Sequence, residues 1–180
     1  MGHDSSRDSQ RTDETIPGFG ALLDALGVSI VAGRVTAPPE LGRKAGRIEV
    51  AAIGCATVEL DRAAASLGAE LDTTFEPTHR DGLLGASVRR STKQDPSILL
   101  LEPDTEGRLS GALAKHGEGP VALYLRVASL DALPVTLSTR NGVGPLGAAR
   151  LVFKGPQWGP FLILVAGPSK IDPDRVPSEP

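Results

Sequence analysis

The fold is decided by residues 52–61, AIGCATVELD, and residues 122–131, ALYLRVASLD, which align when the sequence is shifted by 70 positions. In both stretches apolar side chains alternate as they do along a strand, and the polar residues that follow begin a helical pattern. An internal repeat of this kind indicates duplicated structural units. We therefore predict two similar modules, each opening with a strand that runs into a helix.

The residues around the first stretch predict a complete βαβββ module. Residues 47–58, RIEVAAIGCATV, are typical of a buried strand, and residues 58–68, VELDRAAASLG, carry apolar side chains on one helical face and end in glycine. Turn signals then separate three further strand-like runs. These runs are AELDTTFE (69–76), GLLGASVRRS (82–91) and SILLLEP (97–103).

The second stretch opens a similar module whose helix is cut short, because Pro134 cannot continue a helix. Its strand-like runs are VTLSTR (135–140), GAARLVF (147–153) and PFLILVAG (160–167). Either module alone would expose an apolar sheet face, so the two are expected to pair. The predicted fold is α+β, with two βαβββ modules that form a curved mixed sheet around a small-molecule cleft.

The flanking residues are expected to lie outside this domain. Residues 1–16 and 169–180 are mainly polar and cannot bury enough apolar surface to offset the entropy of ordering, so we expect two flexible tails. Residues 17–46 contain one short helical pattern and then helix breakers, which predicts an arm that packs on the core or on a neighbouring subunit. The expected boundaries of the domain and of its two modules are 47–168, 47–119 and 120–168.

Composition argues against several kinds of partner. The net charge of −3 gives no basic surface for a phosphate backbone, so we expect no nucleic-acid partner. No apolar run approaches the roughly 20 residues of a membrane helix, and the N-terminus lacks the apolar segment of a signal peptide. The single cysteine, Cys55, excludes an internal disulfide and is expected to be buried and inert. A cytoplasmic protein without membrane partners is expected.

Several of these segments resemble one known superfamily. HGEGPVALYLRVASLDAL (116–133) resembles the opening of the second module in methylmalonyl-CoA epimerase and its glyoxalase and dioxygenase relatives, members of the vicinal oxygen chelate superfamily. ATVELDRAAASLGAEL (56–71) resembles their first strand and helix, and residues 97–103 and 160–168 resemble their module-closing strands. The resemblance covers about residues 47–168 and implies the same paired-module fold.

The resemblance also implies where metal ligands would stand. The superfamily's two strand-opening histidines fall on Ala52 and Ala122, and its closing-strand carboxylate or amide ligands fall on Leu99 and on Ile163 or Leu164. Divalent ions in such sites need imidazole nitrogens and carboxylate or amide oxygens, which alkyl side chains lack. We therefore expect no metal and no cofactor, so that any chemistry is carried out by side chains alone.

The alternation of side chains along a strand indicates the first catalytic candidates. If Ala122 faces the cleft, then Tyr124 and Arg126 face it too. A tyrosine hydroxyl can donate a hydrogen bond to a developing oxyanion, and a guanidinium can pair with a carboxylate or enolate. The alternative is that Tyr124 is core packing and Arg126 is a surface charge at the strand end.

Two further catalytic candidates stand at the ends of predicted elements. Glu102 ends the closing strand of the first module, where it is either a base at the cleft rim or a solvated strand end. His116 precedes the strand that bears Tyr124 and is either a proton-transfer group or a solvated loop residue, since histidine exchanges protons readily near neutral pH. His79 is expected to be a solvated turn residue.

The remaining candidates are expected to line the cleft and bind substrate. Small residues on one wall give room, and larger ones on the other give orientation. Arg150 is expected to face this cleft, and Trp158, in a loop rich in glycine and proline, is expected either to cover a ligand or to cap the core edge. The substrate-binding candidates are Ala52, Gly54, Leu99, Leu101, Ala122, Arg150, Trp158 and Ile163.

One glycine pattern resembles a nucleotide-binding motif but lacks its context. Gly142, Gly144 and Gly147 spell GxGxxG, but a dinucleotide site needs a strand before it, a helix after it and an acidic residue roughly 20 positions on. Pro145 and the strand-like residues that follow do not meet these requirements. We predict instead a flexible hairpin loop beside the cleft.

Two classes of function remain open. One is a metal- and cofactor-independent isomerase, epimerase or cyclase that acts on a small polyketide-like or acyl-thioester substrate in secondary metabolism. The other is a small-molecule-binding protein of the antibiotic-resistance type, without catalysis, which metal-free members of the superfamily resemble. An aromatic content of 3% favours the enzyme, because sequestering proteins often stack planar drugs on aromatic rings. A scaffold without a ligand is a third alternative, and a homodimer is expected because relatives often dimerise.

Overall fold

Two modules build one sheet in the computed structural model, which describes residues 20, 23–24, 26–31, 34–36, 48–104, 106–133, 138–153 and 159–167. The main helices and strands are β1 (Ser29–Val31), β2 (Arg34–Thr36), β3 (Glu49–Ala56), α1 (Leu60–Glu70), β4 (Phe75–Pro77), β5 (Ala86–Ser91), β6 (Ser97–Pro103), α2 (Arg108–His116), β7 (Gly119–Val127), β8 (Thr139–Gly144), β9 (Gly147–Val152) and β10 (Phe161–Ala166). The predicted tails and Pro134 lie outside the described residues. In the described part of the chain, no helix has the length and apolar character that a membrane crossing requires.

The sheet has eight strands in the order β4-β5-β6-β3-β7-β10-β9-β8. In each module the first strand pairs in parallel with the last, β3 with β6 and β7 with β10. The antiparallel pairing of β3 with β7 joins the modules. The predicted α+β fold with a mixed sheet from two modules is confirmed. In the second module, residues 131–133 form a turn where the first module has α1.

The duplication extends to individual side-chain contacts. Arg89 on β5 forms an ion pair with Asp61 of α1. Arg150 on β9 donates to the Asp131 carboxylate, which follows β7, at 3.0 Å. The two aspartates are 70 positions apart, and the two arginines occupy equivalent register positions on the third strand of their modules. The sequence repeat therefore describes a repeated three-dimensional arrangement.

The sheet is covered on both faces, each named here for the helix that packs on it. On the α1 face, residues such as Ile53, Cys55 and Leu125 pack against α1, and Leu26 and Val28 of the arm are buried in the same cluster. On the α2 face, the core contains Leu109 and Ala112 of α2 together with strand residues of both modules. The core residues of the strands on this second face are Ala51, Ala52, Ala56, Ala86, Val88, Leu99, Leu101, Val121, Ala122, Tyr124, Ala149, Leu151, Phe161, Ile163 and Val165.

Helix α2 was not predicted. His116, expected in a loop, is instead its last residue, and Leu109, Ala112 and Leu113 carry the apolar face at helical spacing. The local signal is weak because the helix has nine residues, contains Gly111 and has no side-chain cap hydrogen bond at its start. The stability of α2 therefore comes mainly from its packing on the sheet, because the local helix propensity is low.

The glycine-rich hairpin also differs from the prediction. Residues 142–144, expected in a flexible loop, belong to β8, and Gly144 pairs with Gly147 across a two-residue turn. The Gly82 amide donates to the Val143 carbonyl at 3.0 Å, which attaches this strand to the β4–β5 connection. The expected loop is thus a paired strand, because ladder and loop hydrogen bonds together outweigh the low strand propensity of glycine.

Glu118 ties the start of the second module to the first. Its Oε1 accepts hydrogen bonds from the Thr57 hydroxyl at 2.6 Å and from the Val58 amide at 2.8 Å. The Arg62 guanidinium donates to both carboxylate oxygens, at 2.8 and 2.9 Å. Gly117 has a φ of +78°, a region that favours glycine, so the turn can direct the carboxylate towards the first module. The connection between β3 and α1 is therefore held by a residue about 60 positions away.

Glu118→Gln is expected to lower stability at neutral pH. Hydrogen bonds from Arg62, Thr57 and the Val58 amide lower the pKa of Glu118 from its ordinary 4.5 to about 2. The resulting stabilisation is fully present above pH 4.5 and is lost as the pH falls through about 2. Because the side chain is 39% exposed, solvent screening limits the loss to about 1 kcal/mol, or roughly 2–4 °C in Tm.

Thermal unfolding followed by circular dichroism from neutral to acidic pH measures this difference. The Tm gap between wild type and variant should close as the pH falls from 4.5 to about 2. Glu70→Gln, at the exposed end of α1, is the control and should show no such gap. A gap that stays constant over this range would contradict an ionic role for Glu118.

Candidate functional site

Tyr124 and Asp81 form a buried pair on the α2 face. The Tyr124 hydroxyl donates to Asp81 Oδ2 at 2.6 Å, and both residues are 0% exposed. Tyr124 lies on β7 of the second module, whereas Asp81 lies in the β4–β5 connection of the first. Among the described residues Asp81 is the only buried carboxylate. The bond therefore joins the modules through a charge held away from water.

The turn after Asp81 satisfies the rest of its carboxylate. Oδ1 accepts hydrogen bonds from the Leu83 and Leu84 amides, both at 2.9 Å. Gly85, with a φ of +69°, lets the chain reverse so that the Asp81 amide donates to the Ala86 carbonyl at 2.9 Å. Three donors thus compensate for the loss of hydration at this carboxylate.

The environment keeps Tyr124 protonated. Burial, and then the neighbouring Asp81 carboxylate, raise the pKa of Tyr124 well above its ordinary value of 10.0. The hydroxyl is therefore a hydrogen-bond donor at neutral pH. The pair therefore consists of one hydroxyl donor, from Tyr124, and one carboxylate acceptor, from Asp81, joined by a hydrogen bond.

The Asp81–Gly85 turn is docked on β8. Leu83 packs so closely on Gly142 that a Cβ there would lie 2.6 Å from Leu83 Cδ2. Together with the hydrogen bond from Gly82 to Val143, this contact holds the turn over the α2 face. The glycines of β8 thus make room for a side chain and do not form a nucleotide loop.

The predicted lining residues of the strands come together on this face. They are Ala52 and Gly54 of β3, Leu99 and Leu101 of β6, Ala122 of β7 and Ile163 of β10. They pack against α2, the Asp81–Gly85 turn and the Tyr124 ring, and are not exposed in an open cleft. A Cβ at Gly54 would lie 3.1 Å from the Tyr124 ring, so the ring occupies the space that this glycine leaves. Contact of these residues with a ligand stays a prediction.

Arg126 lies two residues after Tyr124 on β7, and so on the same face, but at the strand end. Its side chain is 39% exposed, and its Nη1 lies 4.0 Å from Glu49 Oε2. A surface ion pair of this kind contributes little to stability. The structure does not place Arg126 in contact with the Tyr124–Asp81 pair, and its catalytic role stays a prediction.

Glu102 and Arg150 are directed to the α1 face, a correction to their expected orientation. Glu102 follows Leu101 and alternates to the other side, where its Oε2 accepts a hydrogen bond from the Leu60 amide at 2.9 Å, at the start of α1. Arg150 lies between Ala149 and Leu151 of the α2-face core and so points away from it, towards Asp131. Helix capping and an ion pair account for these two side chains.

The histidines and the cysteine lie outside the Tyr124–Asp81 pair. His79 and His116 are exposed, and His116 ends α2. Cys55 is buried on the α1 face as predicted, and burial raises the pKa of its thiol to about 12. Trp158 lies outside the described residues.

The arrangement of the modules is shared with solved structures. Methylmalonyl-CoA epimerase from Mycobacterium tuberculosis superposes with a TM-score of 0.57 at 19% identity, over 65% of this chain and 86% of that one. The chain has the vicinal oxygen chelate fold. A variant of the Streptomyces coelicolor epimerase in complex with 2-nitronate-propionyl-CoA gives a TM-score of 0.55 at 20% identity, over 66% of this chain and 94% of that one. A methylmalonyl-CoA epimerase in complex with methylmalonyl-CoA and NH4+ gives 0.54 at 20% identity, over 66% and 94%. No family model and no curated protein matches the sequence.

The metal site that the vicinal oxygen chelate fold implies does not fit these residues. Ala52, Ala122, Leu99 and Ile163 all lie on the α2 face, whereas Leu164 belongs to the α1 face. None of these alkyl side chains offers a donor atom. In the described part of the chain, no three His, Cys, Asp or Glu side chains lie close enough to hold a metal ion.

Asp81 was missed by the sequence reasoning. It stands in a turn segment, and its partner Tyr124 is 43 positions away. The only local signal is an aspartate followed by glycine and two leucines, which is typical of a side chain that bonds its own turn. That signal predicts a turn, but it does not predict burial.

Purified protein is expected to contain no stoichiometric transition metal. The four inherited positions on the α2 face carry alkyl groups, so no ligand set is present there. Metal analysis by inductively coupled plasma mass spectrometry, with and without chelator treatment, checks this. One tightly bound ion per chain, or a fall in Tm on chelation, would contradict the assignment.

Gly142→Ala is expected to destabilise the docked turn. The added methyl group would overlap Leu83, and overpacking of this kind costs about 1–3 kcal/mol. Hydrogen exchange at the Leu83 and Leu84 amides should accelerate, since both are held by Asp81. Gly144→Ala is the control, because its Cβ would meet Asp81 Oδ2 only at 3.6 Å. Equal exchange rates in both variants would show that Leu83 does not depend on the space at Gly142.

Proposed function

We propose that the chain is a metal- and cofactor-independent isomerase or epimerase that acts at the carbon next to the carbonyl group of a small acyl thioester. The observation that carries the proposal is the buried Tyr124–Asp81 pair, at 2.6 Å, on the face where the cleft was expected. A buried titratable group whose pKa is shifted by burial and by a specific charged partner, as at Tyr124, is typical of catalytic sites. A polyketide-like substrate and a cyclase reaction, in secondary metabolism, are variants of the same proposal.

The pair offers the two groups that proton transfer next to a carbonyl needs. Asp81 takes the proton from the carbon, and the electron pair of the broken C–H bond forms the enolate. The Tyr124 hydroxyl, released from Asp81, donates a hydrogen bond to the enolate oxygen. The planar enolate then turns its opposite face towards the protonated Asp81, which returns the proton there and gives the epimer, so that atoms and charge balance without a metal or an oxidant.

Similar structures support the choice of substrate class. The epimerases that share the fold were solved with methylmalonyl-CoA and with 2-nitronate-propionyl-CoA, both thioesters or their analogues. Under the proposal, the α2 face of this chain holds the acyl group of such a molecule. Under the proposal, the Asp81–Gly85 turn, which carries Asp81 itself, moves on β8 to admit substrate, because both members of the pair are 0% exposed.

A second candidate is a small-molecule-binding protein without catalysis, of the antibiotic-sequestering type. The observation that favours it is the aliphatic character of the α2 face, where the hydroxyl and the carboxylate already satisfy each other. Such a surface binds by shape, and polar groups only orient the ligand. A homodimer and a cytoplasmic location belong to both proposals.

Tyr124→Phe is expected to lower turnover by roughly 10- to 1000-fold, in line with loss of one oxyanion donor. Incorporation of deuterium from D2O at the carbon next to the carbonyl of methylmalonyl-CoA, followed by mass spectrometry, measures the rate. Asp81→Asn should abolish exchange because the amide cannot accept the proton. Tyr124→Phe leaves Asp81 Oδ2 without its donor, and Asp81→Asn replaces one acceptor oxygen by an amide nitrogen. Each change costs about 1–3 kcal/mol, so the assays are run well below Tm.

Thr57→Val is the matched control. It also removes one buried hydroxyl that donates to a carboxylate, but at the start of α1 and away from the α2 face. Its exchange rate should equal that of wild type. Wild-type protein that binds methylmalonyl-CoA without exchange supports the binding protein, and a Tyr124→Phe rate equal to wild type removes Tyr124 from catalysis.

A further inference from the structure

A polar groove lies at the β4–β5 edge of the first module, apart from the Tyr124–Asp81 pair. Its volume is about 570 Å³, within the roughly 300–1,000 Å³ of ligand sites. Unlike the aliphatic surroundings of the pair, its lining is polar. The lining residues that matter here are Glu76, Thr78, Arg90, Thr92, Gln94 and Ser97.

Cross-strand register fixes the position of the groove. Glu76 on β4 pairs with Arg90 on β5, and Arg90 pairs with Leu99 on β6. Leu99 is in the α2-face core and pairs with Gly54, beside the Tyr124 ring. Since directly paired residues share a face, Glu76 and Arg90 lie on the same side of the sheet as Tyr124. Two strand spacings put the Arg90 backbone roughly 10 Å from that of Gly54.

Arg90 presents an oriented cation to the groove. Its Nε donates to Ser97 Oγ at 3.1 Å, which fixes the guanidinium plane. No carboxylate among the described residues lies within ion-pair distance of it, whereas its neighbour Arg89 is paired with Asp61. A planar guanidinium with free amino groups matches two oxygens of a phosphate or carboxylate.

The other side chains of the groove indicate which kind of ligand fits beside Arg90. Thr78 and Thr92 add neutral hydroxyls to the lining, and Gln94, whose Nε2 donates to the Leu71 carbonyl at 3.2 Å, adds an amide oxygen that can accept a hydrogen bond. The Thr92 hydroxyl also bonds that of Thr74 at 2.8 Å. The Glu76 carboxylate, across the strand pair from Arg90, repels a bare anion but accepts a hydrogen bond from a hydroxyl. A ligand that carries a phosphate and, beside it, sugar hydroxyls satisfies both side chains.

We propose that this groove binds a phosphorylated sugar, with Arg90 on the phosphate and Glu76 on a hydroxyl. The same chemistry is found in a free sugar phosphate and in the phosphorylated ribose of coenzyme A. The site needs no movement of the Asp81–Gly85 turn, and the proposal does not depend on the reaction at Tyr124.

Isothermal titration calorimetry with ribose 5-phosphate tests the site, with ribose and inorganic phosphate as its two fragments. Ribose 5-phosphate should bind more tightly than either fragment. Arg90→Gln should weaken its binding by about 10- to 100-fold, the effect expected for charge-assisted hydrogen bonds. Glu76→Gln should weaken ribose 5-phosphate but not inorganic phosphate. Arg140→Gln, an exposed arginine on β8, is the matched control and should leave affinity unchanged.

Coenzyme A distinguishes the two sources of the ligand. Tighter binding of coenzyme A than of ribose 5-phosphate, with the same dependence on Arg90, supports the nucleotide, and the reverse order supports the free sugar phosphate. No binding of either compound at millimolar concentration, or equal weakening by Arg90→Gln and Arg140→Gln, overturns the proposal. These affinities are measured without any exchange reaction, so failure at the groove is distinguishable from failure of the proposed reaction.

Discussion

The antiparallel pairing of β3 with β7 is the interaction on which the rest of the structure depends. It joins the first strands of the two modules and sets Ala52 opposite Tyr124 and Gly54 opposite Ala122. Because each of these strands also pairs in parallel with the closing strand of its own module, the four central strands follow in the order β6-β3-β7-β10, and antiparallel neighbours add two more strands at each edge. It also brings Gly54 beside the Tyr124 ring. A larger residue at position 54 would collide with the ring and with Leu101.

The packing around that contact keeps the Tyr124–Asp81 pair away from solvent. The Asp81 carboxylate is 0% exposed, and in place of solvent it accepts hydrogen bonds from Tyr124 and from two amides of its own turn. Buried charges are seldom more stabilising than aliphatic packing of the same volume. A satisfied but costly carboxylate in an otherwise apolar face is therefore a better candidate for chemistry than for core stability.

The sequence predicts the modules, their order and the direction of Tyr124 well, because alternation along a strand is a local property that the repeat shows twice. Alternation also places Glu102 on the opposite face from Leu101, and the catalytic reading of Glu102 overlooked this. Asp81 could not be found in the same way, because its burial results from a contact 43 positions away. Helix α2 escaped prediction because its stability depends on the sheet that Leu109 meets, and the sequence of the helix alone carries little signal.

The α2 face has two polar regions, the buried Tyr124–Asp81 pair and the groove beside Arg90. Their different exposure to water suits them to different chemistry. Around Tyr124 and Asp81, low polarity makes each electrostatic interaction strong, which favours a reaction in which charge develops. Around Arg90, water and salt screen the guanidinium, so this region can select and hold an anion but gives little advantage to bond breaking. A ligand can enter the groove while the Asp81–Gly85 turn stays docked on β8. If both proposals hold, binding at the edge precedes opening at the centre, and a ligand that reaches both regions is recognised at Arg90 before its reactive group reaches the buried pair.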